Sequence, residues 1–275
     1  MFFLISNLQS DCEQCFGLCC VALPYGKSAD FAVNKEGGIP CGNLGADYRC
    51  GIHEQLRDKG FRGCVSYECF GAGQHVSQHI FNGKNWRENP ELSKDMFAVF
   101  PVVQQLHEML CYLKQALDAE ETHPIQNELR RAFDSTVVLT HLPPVEILQV
   151  DIPAHRGFIN TLLLQTSELV RSEFTQGNRK SKLRRGLDLL GANLKGASLR
   201  GENLRGALLI AANLRGADLR KVDFIGADLR DADLSDANLT GSIFLTQAQV
   251  NSARGNKHTR LPRYLNTPDH WLQKH

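Results

Sequence analysis

Eight cysteines fall between residues 12 and 69, spaced Cys12-x2-Cys15-x3-Cys19-Cys20, then Cys41-x8-Cys50, then Cys64-x4-Cys69. A Cys-x2-Cys step lets two thiolates reach one ion from a tight turn. Thiolates suit zinc, iron–sulfur clusters and copper(I). Adjacent Cys19 and Cys20 cannot easily direct both side chains to one mononuclear centre. The pair suggests two centres, a polynuclear cluster, or one ligand beside one buried thiol. All eight are candidate metal ligands, and His53, three residues after Cys50, is a further one. The expected cofactor is zinc or iron, iron–sulfur included. A disulfide framework or free core thiols form the alternative reading. Against disulfides, the start MFFLISNLQSD has no basic segment and too short an apolar run for a signal peptide. A cytoplasmic protein is expected, in a compartment that keeps thiols reduced.

His75 and His79 sit at i, i+4, which would align them on a helix. Gly71, Gly73 and the lack of a carboxylate between the histidines weaken a metalloprotease-like reading. His107 and Cys111 share the same spacing and read as core and surface residues. No GxxxxGK[ST] or GxGxxG phosphate loop occurs, and no G-x-S-x-G elbow. No catalytic residue can be named, and the sequence leans against an enzyme.

The elements that must hold these residues differ along the chain. Its 275 residues carry 31 Lys+Arg against 30 Asp+Glu. That balance argues against nucleic-acid binding by bulk charge. No run of 18 apolar residues occurs, so no membrane partner is expected. Residues 1–88 read as a Cys- and Gly-rich metal-binding module of loops and short elements. Residues 89–175 read as helical. Asn89-Pro90-Glu91 is a helix start, and Val102, Val103, Leu106, Leu110, Leu113 and Leu117 recur at helical spacing. Further helices are expected over 124–139 and 156–174, separated by Pro143-Pro144. Residues 176–186 form a basic hydrophilic linker.

From residue 187 to 246 a five-residue period takes over, as in ANLKG, ASLRG, ENLRG. Its central position is Leu189, Leu194, Leu199, Leu204, Leu209, Leu214, Leu219, Phe224, Leu229, Leu234, Leu239 and Phe244. Ala usually stands two residues before, and Asp or Asn between. Five residues turn an α-helix by about 500°, so its apolar face is lost. A flat strand alternates faces at odd spacing and fails too. A coil with four sides and one pentapeptide per side keeps every central Leu inside. Gly suits its corners. Residues 247–275 read as a short helical cap and a tail that folds back, burying Trp271.

This A-(D/N)-L-x-x pattern resembles the pentapeptide-repeat family. The resemblance implies a right-handed quadrilateral β-helix of about three coils. The expected fold is therefore multi-part: a Cys-rich N-terminal metal-binding module, a mainly helical segment, and a C-terminal β-helix solenoid. The cysteine segment is similar to the YkgJ-type zinc- or iron-chelating family. The shared residues are Cys12-x2-Cys15-x3-Cys19-Cys20 and Cys41-x2-Leu44-x5-Cys50-x-Ile52-x11-Cys64. That similarity implies metal binding with no reaction assigned.

Three functions follow as expectations. The first is an interaction scaffold with a Cys-ligated zinc or iron site of structural or sensing role, with a protein partner or a second copy. The second is a metal- or redox-dependent enzyme using the Cys cluster. The third follows from repeat proteins that imitate DNA and act on type II topoisomerases. It is disfavoured, because the coil is short and carries seven basic residues against eight acidic ones, a net of −1. Leu208, Leu209, Ile210 and Ile243 depart from the polar pattern and point to a contact with another part of the chain or a second subunit.

Overall fold

The computed structural model describes residues 8–175 and 187–272. The stretch 176–186, read as a basic linker, lies outside the described residues. Two compact units make up the chain. One combines Met1–Leu117 with Ile125–Leu162, the other Asp118–Pro124 with Leu163–His275. Among the described residues no helix is long and apolar enough to cross a membrane.

The first unit begins with single turns. A 3-10 turn covers Cys12–Gln14, and one-turn helices cover Leu18–Val21 and Arg62–Val65. With Gly and Cys in place of periodic apolar residues, nothing extends these turns. The short helix Ala72–Gln74 then runs directly into a π-helix, His75–Ile80.

Three long helices follow, α1 (Pro90–Asp118), α2 (Gln126–Thr140) and α3 (Ile152–Thr175). The helical expectation for this segment agrees with the structure. Pro90 opens α1 with a preset φ where no N–H is needed. Met96, Val99, Phe100, Val103, Leu106, Leu110 and Leu113 then form its buried stripe. Its first half packs with Leu18, Val21, Val76 and Phe81 in one core. Each such buried side chain contributes about 1.5–3 kcal/mol.

In the second unit the structure corrects the sequence reading. The right-handed quadrilateral β-helix expected over 187–246 is not seen: among the described residues there is no strand and no sheet. What forms is a ladder of isolated parallel bridges, such as Asp188 to Leu208, Asn193 to Asn213 and Ser198 to Asp218. The reason is local. Each pentapeptide offers one bridging residue, and a residue of positive φ ends the extended stretch three positions later. These corners recur at Gly191, Gly196, Gly201, Gly206, Ala211, Gly216, Lys221, Gly226, Asp231, Asp236 and Gly241.

The inward positions behave as the period requires. Eleven of the twelve central residues are buried, and Leu194 is partly so. The Asp or Asn that precedes nine of the twelve is also a structural part. Its side-chain oxygen accepts the backbone N–H two residues on, as in Asn213 to Arg215 at 3.2 Å and Asp233 to Ser235 at 3.0 Å. This Asx turn braces the corner. Asp223 is wholly buried, and the Arg205 guanidinium reaches its carboxylate at 3.0 Å. After the array, helix α4 (Gln247–Ser252) starts with a capping box between Thr246 and Gln249. The Gln249 amide also donates to the Phe224 and Ala227 carbonyls, closing backbone acceptors at the coil's end. Trp271 is buried, and its indole N–H donates to the Ala253 carbonyl at 3.1 Å.

Candidate functional site

The cysteines arrive on separate turns that backbone hydrogen bonds pull together. Asp11 caps the turn that carries Cys12 by accepting the Glu13 N–H at 2.9 Å. Gly17, with a φ of 67°, lets the chain reverse before the turn bearing Cys19 and Cys20. The Cys41 N–H donates to the Cys20 carbonyl at 2.9 Å, and Leu44 bridges to Cys50. Cys69 precedes the Ala72–Gln74 helix and lies 3.1 Å from the Ser10 hydroxyl.

Two neighbourhoods result. In the first, Cys15 and Cys69 face Gly73. A Cβ there would lie 2.7 Å from the Cys15 Sγ and 3.7 Å from the Cys69 Sγ. Cys12 and Cys19 lie within electrostatic reach of this pair. The second gathers Cys20, Cys41, Cys50 and Cys64, which act on one another in the same way. The neighbourhoods meet where the Cys19 and Cys20 Sγ atoms stand 3.9 Å apart. All nine cysteines are free thiols.

Burial pushes the Cys15 thiol up to about 11 and Cys64 to about 12, with neighbouring thiols adding to the effect. Within the adjacent pair the directions split. The hydrogen bond from Cys19 lowers Cys20, and the Lys35 ammonium helps; the same hydrogen bond and burial raise Cys19. Lys35 is itself buried, with its Nζ on the carbonyls of Val21, Glu36 and Ile39 at 2.9–3.0 Å. The Tyr25 hydroxyl donates to the Cys41 Sγ at 3.2 Å. The donor chemistry fits a thiophilic ion. As placed, no group of three or more His, Cys, Asp or Glu among the described residues stands ready to hold one. His53 is exposed on its 3-10 turn His53–Gln55.

The structure also assembles four histidines, of which the sequence marked only His75 and His79 as a pair. The His75 ring lies 5.4 Å from His79, 5.0 Å from His107 and 5.1 Å from His141, centroid to centroid. Burial holds His75 and His107 neutral, at about 4 and about 3. Nothing in the spacing of residues 75, 107 and 141 announces this cluster. The only local signal is the i, i+4 pair. Cys111 stands apart on α1, its thiol contacted by the Gln115 amide at 3.6 Å.

Two comparisons bear on these observations. The family described as pentapeptide repeats matches residues 188–224 and 207–244, with eight copies of the repeat. The uncharacterized protein YybG of Bacillus subtilis (strain 168) is 61% identical over 265 residues, covering 96% of this chain and 95% of that protein.

Proposed function

The chain belongs to the family of Bacillus subtilis YybG and carries pentapeptide repeats, and on that premise we propose that it is a cytoplasmic interaction scaffold with a cysteine-ligated zinc or iron site of structural or sensing role. The observation that carries the metal half is the gathering of eight thiols around the adjacent pair Cys19 and Cys20. Cys12, Cys15, Cys19 and Cys69 would hold one ion, and Cys20, Cys41, Cys50 and Cys64 a second. Four thiolates around one ion form a closed centre, which is the structural type. The similarity of the cysteine spacing to the YkgJ-type chelating family supports the same reading. Free thiols suit the reducing cytoplasm.

The scaffold half draws on the repeat wall. Leu187, Leu190 and Leu208 stand 42%, 65% and 46% exposed on this wall, with the Leu208 N–H donating to the Leu187 carbonyl at 2.8 Å. Grouped apolar side chains of this size, rimmed by polar ones, suit a protein partner.

Elemental analysis of protein prepared without air tests the metal half. Zinc or iron should be present at about two equivalents per chain, one lost in Cys15→Ser and the other in Cys64→Ser. Protein that folds with neither metal overturns it. For the scaffold half, a photo-crosslinking residue at Leu208 should trap one recurrent protein in the producing cell, and a second copy would count. A crosslinker that traps nothing sinks it.

A further inference from the structure

His75 occupies the first position of the π-helix, the only one among the described residues, and its ring is packed on three others. π-Helical turns are rare and gather at functional sites. The hydrogen bonds around the ring cluster share one logic. The His75 Nε2 lies 2.8 Å from the Thr140 carbonyl, the His107 Nδ1 2.8 Å from the Phe70 carbonyl, and the His141 Nδ1 2.9 Å from the Val137 carbonyl. A carbonyl only accepts, so each of these nitrogens donates; the Thr140 hydroxyl, 3.0 Å from the His141 Nδ1, gives its own hydrogen to the Val137 carbonyl at 2.7 Å and leaves that nitrogen the donor. In a neutral ring the other nitrogen then carries a lone pair: Nδ1 of His75, Nε2 of His107 and Nε2 of His141.

That is how metal-ligating histidines are held, with one N–H on a backbone carbonyl and the other nitrogen offered inward. His107 gives the clearest sign. It is 2% exposed, and its Nε2 is a buried atom without a hydrogen-bond partner. A buried acceptor of this kind carries its full desolvation cost unless something fills it. The carbonyls of Val137 and Thr140 also lie at the C-terminal end of α2, where the helix dipole is negative and favours a cation.

The spacing of the three rings from His75 agrees. Two imidazoles bound to one tetrahedral ion at about 2.0 Å have ring centroids roughly 5 Å apart. The observed separations from His75 are 5.0, 5.1 and 5.4 Å. We infer that His75, His107 and His141, with His79 as the fourth ligand, form an all-nitrogen site for a first-row divalent ion such as zinc or nickel. The set holds neither thiolate nor carboxylate, and imidazole suits these metals. The four donors do not stand closed around a point as placed. Closure turns the rings of His79 and His141, both at the surface, toward the buried pair. This site is separate in chemistry from the cysteine groups and does not depend on them.

Cobalt(II) reports the difference, because thiolate ligands give sulfur-to-cobalt charge-transfer absorption and imidazoles do not. The full-length protein, with whatever metal it carries on isolation, is titrated with cobalt(II) alone. One added equivalent should bind with ligand-field bands and no sulfur charge transfer, and should raise the melting temperature. A His79→Ala/His141→Ala variant changes two surface side chains, so helical circular dichroism and the metal present on isolation should be kept. The added equivalent and its thermal shift should be lost. Failure to bind an added equivalent, with the metal present on isolation kept in the double variant, overturns the site. So does binding that persists in the double variant, or that carries the sulfur band. In each of those cases His75 and His107 only satisfy the carbonyls of Thr140 and Phe70. Loss of the metal present on isolation after Cys15→Ser bears on the cysteine centres alone.

Discussion

At the corner of each pentapeptide, backbone angle decides which side chain is tolerated. Gly201 has a φ of +70°, and a Cβ added there would lie 2.4 Å from the Phe174 Cβ. Gly196 has a φ of +65° with nothing within 4 Å. The left-handed region costs an L-residue roughly 1–2 kcal/mol. Overpacking against a fixed ring adds typically about 1–3 kcal/mol. Gly201→Ala should therefore lower the urea midpoint clearly more than Gly196→Ala. Equal losses would sink the claim that Phe174 fills this corner. Glycine was readable in the sequence as a corner residue, but which glycine also faces a ring was not. The Asp and Asn positions were readable as polar and outward. Their oxygens instead brace the backbone two residues on, a role set by turn geometry that no polarity scale carries.

The repeat array shows how short-range periodicity becomes an element. Period five requires four sides and one inward Leu per side, and the burial of Leu204, Leu214 and Leu234 follows. It does not require strands. With a positive-φ corner in every pentapeptide, the extended stretch is too short for one, and the bridges stay isolated. The corners carry charge pairs whose titration is testable. The hydrogen bond and charge of Arg220 hold Asp218 below its ordinary value of 3.8. At Asp228 partial burial pushes upward, yet the Arg230 hydrogen bonds and charge bring the net shift down. A carboxyl depressed by folding contributes stability above the unfolded pKa, and that stability is lost as pH falls through the folded one. Thermal melts should therefore separate wild type from Arg220→Gln/Arg230→Gln near neutral pH. The gap should close as pH drops through and below 3.8. A gap that widens in acid would refute the assignment.

For the whole molecule, the two units draw stability from different sources. The coil has a continuous core of Leu, Phe and Ala closed at its end by α4 and Trp271. The cysteine segment has single turns, little apolar periodicity and mostly half-buried thiols, so metal would carry much of its folding free energy. Removal of metal with a chelator should expose residues 8–71 to protease while the repeat unit keeps its resistance. Simultaneous loss of both units would contradict this division. The sequence by itself determined the repeat, its inward residues and the helical segment between, because these rest on spacing along a local backbone. It also marked the cysteines as a group, since a local excess of thiols is a compositional fact. Only the tertiary structure sorted those thiols into two neighbourhoods and brought His75, His107 and His141 together. Residues that lie 32 and 34 positions apart in the chain share no local period, and they meet only where packed turns and helices fold back on one another.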